Sequence, residues 1–215
     1  MSQKLEESNN KIAINSVFET IWLKPTASLK FIIRNYPRKY VTVLLMLGGV
    51  VNSVDRASRI GMGDDMSLAA VLIISLGLGA GLGWISFYIY AYTLSITGNW
   101  LKGSSEPKEF RTIIAWSLVP SIAGLLLLIP EILFFGDEVF KSNVSNTSLS
   151  FNPAKLIFGA VELIFWLWSV VILVKGIKII QKFSTGRALA NMMLPVGIIM
   201  GVILFFLLLA QAVGA

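Results

Sequence analysis

Long uninterrupted runs of apolar residues constrain this chain more than any other feature. A helix that crosses a bilayer needs about 20 mostly apolar residues. Runs at 67–96, 112–135, 155–180 and 189–214 meet that requirement, and a fifth, at 40–60, meets it except that Asn52, Asp55 and Arg56 interrupt its end. Inside a bilayer every backbone N–H and C=O must find its partner within the protein, and a helix does this along its own length. The runs therefore predict an all-α integral membrane protein, a bundle of five transmembrane helices preceded by amphipathic N-terminal helices. Composition agrees. The chain is 55% hydrophobic and 14% charged, with mean hydropathy +0.76, whereas soluble domains carry about 25% charged residues. One domain is expected over 14–215, after a flexible N-terminus at 1–13.

Charge orients the bundle. Lysine and arginine accumulate on cytoplasmic loops. Lys4, Lys11, Lys24, Lys30, Arg34, Arg38 and Lys39 precede the first run. Lys102, Lys108 and Arg111 lie between the second and third, and Lys175, Lys178, Lys182 and Arg187 between the fourth and fifth. Those fourteen would share one side, against four (Arg56, Arg59, Lys141 and Lys155) on the other. This predicts a cytoplasmic N-terminus and an outer C-terminus, and it requires the interrupted first run to cross. The first 39 residues lack an apolar stretch followed by a small-residue cleavage site, so no cleaved signal peptide is expected. The formal charge of +6 fits basic loops better than a nucleic-acid partner.

The arm at 14–39 has its own pattern. Ile14, Val17, Phe18, Ile21 and Trp22 share a helical face, Lys24 and Pro25 break the run, and Leu29, Ile32 and Ile33 mark a second piece. Such segments either lie in the membrane surface or pack on the cytoplasmic ends of the spans. The loop "WLKGSSEPKEFR" places Trp100 at an interface and turns at Gly103, and its Pro107 can open a helix where a missing N–H costs nothing. Two further stretches, "FRTIIAWSLVP" and "GRALANMMLP", echo each other. Two like-oriented hairpins would explain this, and so would chance likeness among apolar helices.

With no cysteine and no histidine, the chain has no disulfide, thiol nucleophile, imidazole base or Cys/His metal site. Neither a carboxylate pair nor a Ser/His/Asp set stands out, and neither an enzyme nor a cofactor is expected. Glu162 is the one acid well inside a run. An ionisable group at that depth is costly, and it is either a structural hydrogen-bonding group or part of a path, with Arg56, Arg59 and Lys155 as candidate partners. Glu131 is expected at the interface. Pro120, Pro130 and Pro195 remove backbone donors within spans, as ordinary kinks or as breaks lining a path. The run "GLGAGLG" at 77–83 has no preceding strand and no lysine, so it reads as a helix-packing surface rather than a phosphate loop. Asn143 and Asn146 head glycosylation sequons.

Taken together, the arm "WLKPTASLKFII", the loop "GNWLKGSSEPKEFRTIIAWSLVPSI", the later "GRALANMMLP" and five spans resemble the Yip (Ypt-interacting protein) family over roughly 15–214. The matching positions are Lys102, Gly103, Phe110, Arg111, Trp116, Pro120, Arg187, Ala188 and Pro195. The resemblance implies a non-enzymatic scaffold or adaptor in membrane organisation or trafficking. In such a protein Trp100, Lys102, Gly103, Phe110, Arg111 and Arg187 would form a cytoplasmic interaction surface, and Phe18, Trp22, Lys24 and Pro25 a membrane-surface arm. Eukaryotic members sit in the endoplasmic reticulum and Golgi, and they associate with one another and with prenylated small GTPases. This chain's arm is shorter, like that of bacterial members. That favours a bacterial inner membrane and leaves a small-GTPase partner to the resemblance alone. The alternative is a small transporter or lipid-handling protein with a path near Glu162. A polar cavity around Glu162, open to one side, would favour this alternative. A dry bundle with a cytoplasmic groove would favour the adaptor.

Overall fold

A computed structural model describes residues 16–142 and 153–213. Ile14, the segment 1–13 and the sequons at Asn143 and Asn146 lie outside the described residues. The described residues form helices and loops with no strand. In chain order the helices are α1 (Val17–Leu23), α2 (Pro25–Asn35), α3 (Val41–Arg59), α4 (Leu68–Trp100), α5 (Pro107–Ser117), α6 (Val119–Gly124), α7 (Leu128–Phe135), α8 (Pro153–Gln181) and α9 (Thr185–Val213). Short 3-10 turns at Met62–Asp64 and Gly136–Phe140 finish α3 and α7.

Four segments are long and apolar enough to cross a membrane: Leu68–Trp100, Pro107–Phe140, Pro153–Gln181 and Thr185–Leu207. The protein is therefore an integral membrane protein. Helix α3, 19 residues long, is not among the four. Its C-terminal half carries Asn52, Asp55, Arg56 and Arg59.

The first of the four is a single 33-residue helix, α4, while the second is broken into α5, α6 and α7. Pro120 cannot donate the helical hydrogen bond to Trp116, and the chain pauses at Leu118. Beyond it the backbone tightens. Leu125, Leu126, Leu127 and Leu128 donate to Ile122, Ala123, Gly124 and Leu125, each three residues back, which is 3-10 bonding inside a span. Pro130 sits just after that stretch. Pro195, by contrast, lies within an unbroken α9.

Helices α3 and α4 form the closest pair. A Cβ on Gly79 would come within 2.6 Å of Val50 Cα, and one on Gly83 within 2.9 Å of the Gly49 backbone carbon. Only glycine allows that approach. The packing stripe is Gly79 and Gly83 alone, since Gly77 and Gly81 meet nothing within 4 Å. Two turns of helix separate the sets by face: residues i and i+4 align, and those two positions away point elsewhere.

At one end of the bundle, α1 and α2 fold back on each other as a hairpin, tied by the hydroxyls of Thr20 and Ser28 at 3.0 Å. Val17, Ile21, Leu29 and Ile32 enter the main core beside Ile113, Trp116, Ile172 and Ile177. Phe18 packs on Trp116 with ring centres 4.9 Å apart, Tyr40 closes on both rings, and Trp22 reaches Phe165 at 5.6 Å. Phe165 lies about 18 Å along α8 from its first residue at about 1.5 Å per residue. The hairpin thus reaches well along the bundle's length. At the opposite end, Phe140 is fully buried in a second small core with Val54, Ala57 and Val71. There Ser58 donates to the Val139 carbonyl at 2.7 Å, and the Ser142 hydroxyl donates to Asp64.

Candidate functional site: a polar groove between α3 and α8

Between α3 and α8, floored by α5, α6 and α7, lies a cavity of about 800 Å³. It reaches the end of the bundle that holds the 3-10 turns. From α3 it takes Asn52, Asp55, Ser58 and Arg59, from the broken segment Ser117, Ser121 and Glu131, and from α8 Lys155, Glu162 and Ser169. The spacing explains the convergence. Residues 52, 55 and 59 share one face of α3, and 155, 159, 162, 166 and 169 share one face of α8, each three or four apart.

The groove has layers. Arg59 and Lys155 stand nearest the helix ends, Lys155 at the third residue of α8. Glu162 lies about 13 Å from the start of α8, at about 1.5 Å per residue. Deeper still, the Ser121 and Ser169 hydroxyls share a hydrogen bond of 2.8 Å, and Ser169 also receives the Ser121 N–H at 3.2 Å. That N–H lies just past Pro120, where the helical ladder is interrupted, so Ser169 supplies an acceptor that the span has lost. Phe87, Tyr90, Phe165 and Trp166 give the remaining wall an aromatic character.

Asp55, Glu131 and Glu162 are close enough to interact electrostatically, and Glu131 also feels Lys155. None of the three carboxylates forms an ion pair or a hydrogen bond with another described residue. Within a membrane such groups normally pair with each other, with cations or with backbone. Gly159 faces this space with nothing within 4 Å of its position; it widens the groove and makes no helix contact. Of the basic residues named as candidate partners, Arg59 and Lys155 line the cavity and Arg56 does not.

The face of α5 opposite the groove carries Trp116, fully buried against the hairpin. Phe18 therefore supports the broken span from behind, while Trp22 packs on Phe165 of α8. Pro25 is buried and Lys24 exposed.

The loop residues divide in two. Trp100 is 64% exposed, and Lys102 and Arg187 are exposed as well. Arg111 stacks over Tyr88, 4.6 Å from the ring centre. Phe110, however, has no exposure at all; it is core, and only its neighbours can form a surface. Gly103 sits against Gln181 and Phe183, with no room for a side chain. Gln181 carries no signal in the sequence that marks its role. Its Oε1 accepts from Ser104 N at 2.8 Å and Ser105 N at 3.2 Å, pinning the loop after α4 to the end of α8. Nearby, Asn191 accepts from the Thr97 hydroxyl at 3.0 Å, joining α9 to α4. Lys102 and Lys182 both adopt positive φ, 65° and 55°, so α4 and α8 end in the same left-handed turn, the position glycine usually fills.

Fold and groove together define a multi-pass α-helical membrane protein with a charged recess between its helices. The sequence model of the Yip1 domain matches residues 20–207, and the chain belongs to that family. No curated protein matches it, and neither does any solved structure.

Proposed function

We propose that this Yip1-domain protein works by holding a ligand in the groove between α3 and α8, as a transporter or a lipid-handling protein, and that it performs no catalysis. The observation that carries this reading is the cavity itself: three carboxylates, unpaired among the described residues, and two bases around one space inside a bilayer-sized bundle. A purely structural bundle gains nothing from that arrangement, because each desolvated charge costs stability unless something compensates it. Domain and topology belong to the same proposal. One domain covers 14–215 and crosses the membrane five times. Helix α3 is the first crossing, and the N-terminus and the loops at Lys102 and Lys182 are cytoplasmic. The groove then opens to the outside, and the arm lies at the cytoplasmic side, partly in the membrane surface.

Native mass spectrometry of the protein released from its own membranes tests the reading. A small molecule or lipid should ride on the parent protein, and it should be lost from Glu162→Gln combined with Asp55→Asn. Equal retention by the folded double variant would refute it.

A second reading, a scaffold or adaptor that binds membrane proteins or further copies of itself, draws on the family match and on the exposed Trp100, Lys102 and Arg187 at the basic end of the bundle. A small GTPase as its partner rests on the family resemblance alone.

A further inference from the structure

We infer that the groove receives an organic ammonium group, held by Asp55, Glu131 and Glu162 and faced by aromatic rings. The inference rests on the ligand-holding reading above and names its chemistry. Three acids against two bases leave, when all five are ionised, one negative charge in excess around the cavity. A carboxylate in low-dielectric surroundings is stable only when paired or neutralised, and none of these has a pair among the described residues. The groove therefore favours a cation.

The acids do not converge on a point. Among the described residues, no group of three acidic side chains is disposed to hold a metal ion. They come from three different helices and share a space of about 800 Å³, far more than a bare ion fills. The complementary cation is accordingly bulky and carries apolar surface. Phe87, Phe165 and Trp166 line the same space, and aromatic faces attract ammonium groups, quaternary ones especially, through the ring quadrupole. Arg59 and Lys155, at the mouth, would receive an anionic substituent on the same molecule. A choline- or ethanolamine-bearing lipid headgroup and a free amphiphilic amine both carry this chemistry.

The test is protection from a small uncharged carbodiimide, which reaches carboxyl groups from water as well as from the bilayer. The full chain is placed in nanodiscs of phosphatidylglycerol, a lipid without an ammonium group, and modification of Glu162, Glu131 and Asp55 is read by peptide mass spectrometry. Benzyltrimethylammonium chloride is added in one arm. In another, half the lipid is replaced by phosphatidylcholine, and in a third by phosphatidylethanolamine. Sodium chloride at equal ionic strength is the control.

The expected result is modification of Glu162 without ligand and a severalfold fall in at least one ammonium arm. A fall with the soluble salt identifies a free amine, and a fall with lipid alone identifies a headgroup. Modification that no ammonium compound reduces overturns the ammonium assignment while leaving the groove in place. If the three acids go unmodified in the nanodisc but react after unfolding in detergent, the groove itself is wrong. Asp55→Asn should weaken protection at Glu162 while Glu162 still reacts, and unchanged protection in that variant would also count against the assignment.

Discussion

Replacing Gln181 should cost more than its place at the end of a helix suggests. Its side-chain oxygen is the acceptor for two loop N–H groups, Ser104 at 2.8 Å and Ser105 at 3.2 Å. Gln181 is only 6% exposed and Ser105 4%. A buried donor left without an acceptor costs about 1–3 kcal/mol. Ser104 is more exposed than Ser105, so water can take over its N–H, while the Ser105 N–H has no such replacement. Gln181→Met keeps the volume and removes the acceptor; it also removes the buried Nε2, which has no partner among the described residues, so the net loss is a lower bound on what the two bonds contribute. A loss of about 2 kcal/mol follows, equivalent to a fall of about 4–8 °C in Tm for a chain of this size. Gln181→Glu retains an oxygen for both donors and should lose less. The assay is thermal unfolding in mild detergent, followed by tryptophan fluorescence. If Gln181→Met melts within about 1 °C of the parent, the two bonds contribute nothing net of the relieved Nε2, and the loop is held by something else.

Two further outcomes follow from the packing and the charge pattern. Gly83→Leu drives a side chain into the Gly49 backbone, which cannot move aside as a flexible side chain could, and should destabilise the α3–α4 pair by about 1–3 kcal/mol. Gly81→Leu, facing open space, should be neutral, and equal melting points for the two variants would refute the stripe assignment. Because the chain has no cysteine, Ser104→Cys and Asp65→Cys report topology directly. An impermeant thiol reagent applied to intact cells should label the second and spare the first, and the reverse pattern would overturn the orientation.

The sequence disclosed much of the fold and only part of the groove. Helices announced themselves because a bilayer-spanning run needs no tertiary partner to be recognised. Glu162 stood out for the same reason, as a lone acid among apolar residues. Asp55 and Glu131 did not. Each lies near the end of its run, where a charge is expected, and only the register of α3 against α7 and α8 brings them to Glu162. How α3 seats on α4 depends on Gly79 and Gly83 rather than Gly77 and Gly81, a choice between two faces that spacing leaves open. The prolines were visible, but not their outcomes. Pro120 accompanies a break because Ser169 is there to take the freed Ser121 N–H, whereas Pro195 sits in a continuous helix. Likewise the apolar face of the arm was legible in Phe18 and Trp22, while Trp116 and Phe165, the rings they meet, come from helices distant in sequence. Gln181 gave no signal at all; a glutamine after an apolar run looks like a helix end, and its function comes from the loop folded beneath it.

The claim on which the functional account depends is that the groove between α3 and α8 is reachable from water, whereas the neighbouring faces of α8 meet lipid. Single cysteines decide this on the full chain in liposomes: Glu162→Cys and Ser169→Cys in the groove, and Ile164→Cys on a face that is 60% exposed but does not line it. A water-soluble thiol reagent added to the side that labels Asp65→Cys should modify the first two and leave the third unreacted. Equal protection at all three positions in liposomes of phosphatidylglycerol, which offers no ammonium group, would mean a groove that water does not reach, and it would contradict the account.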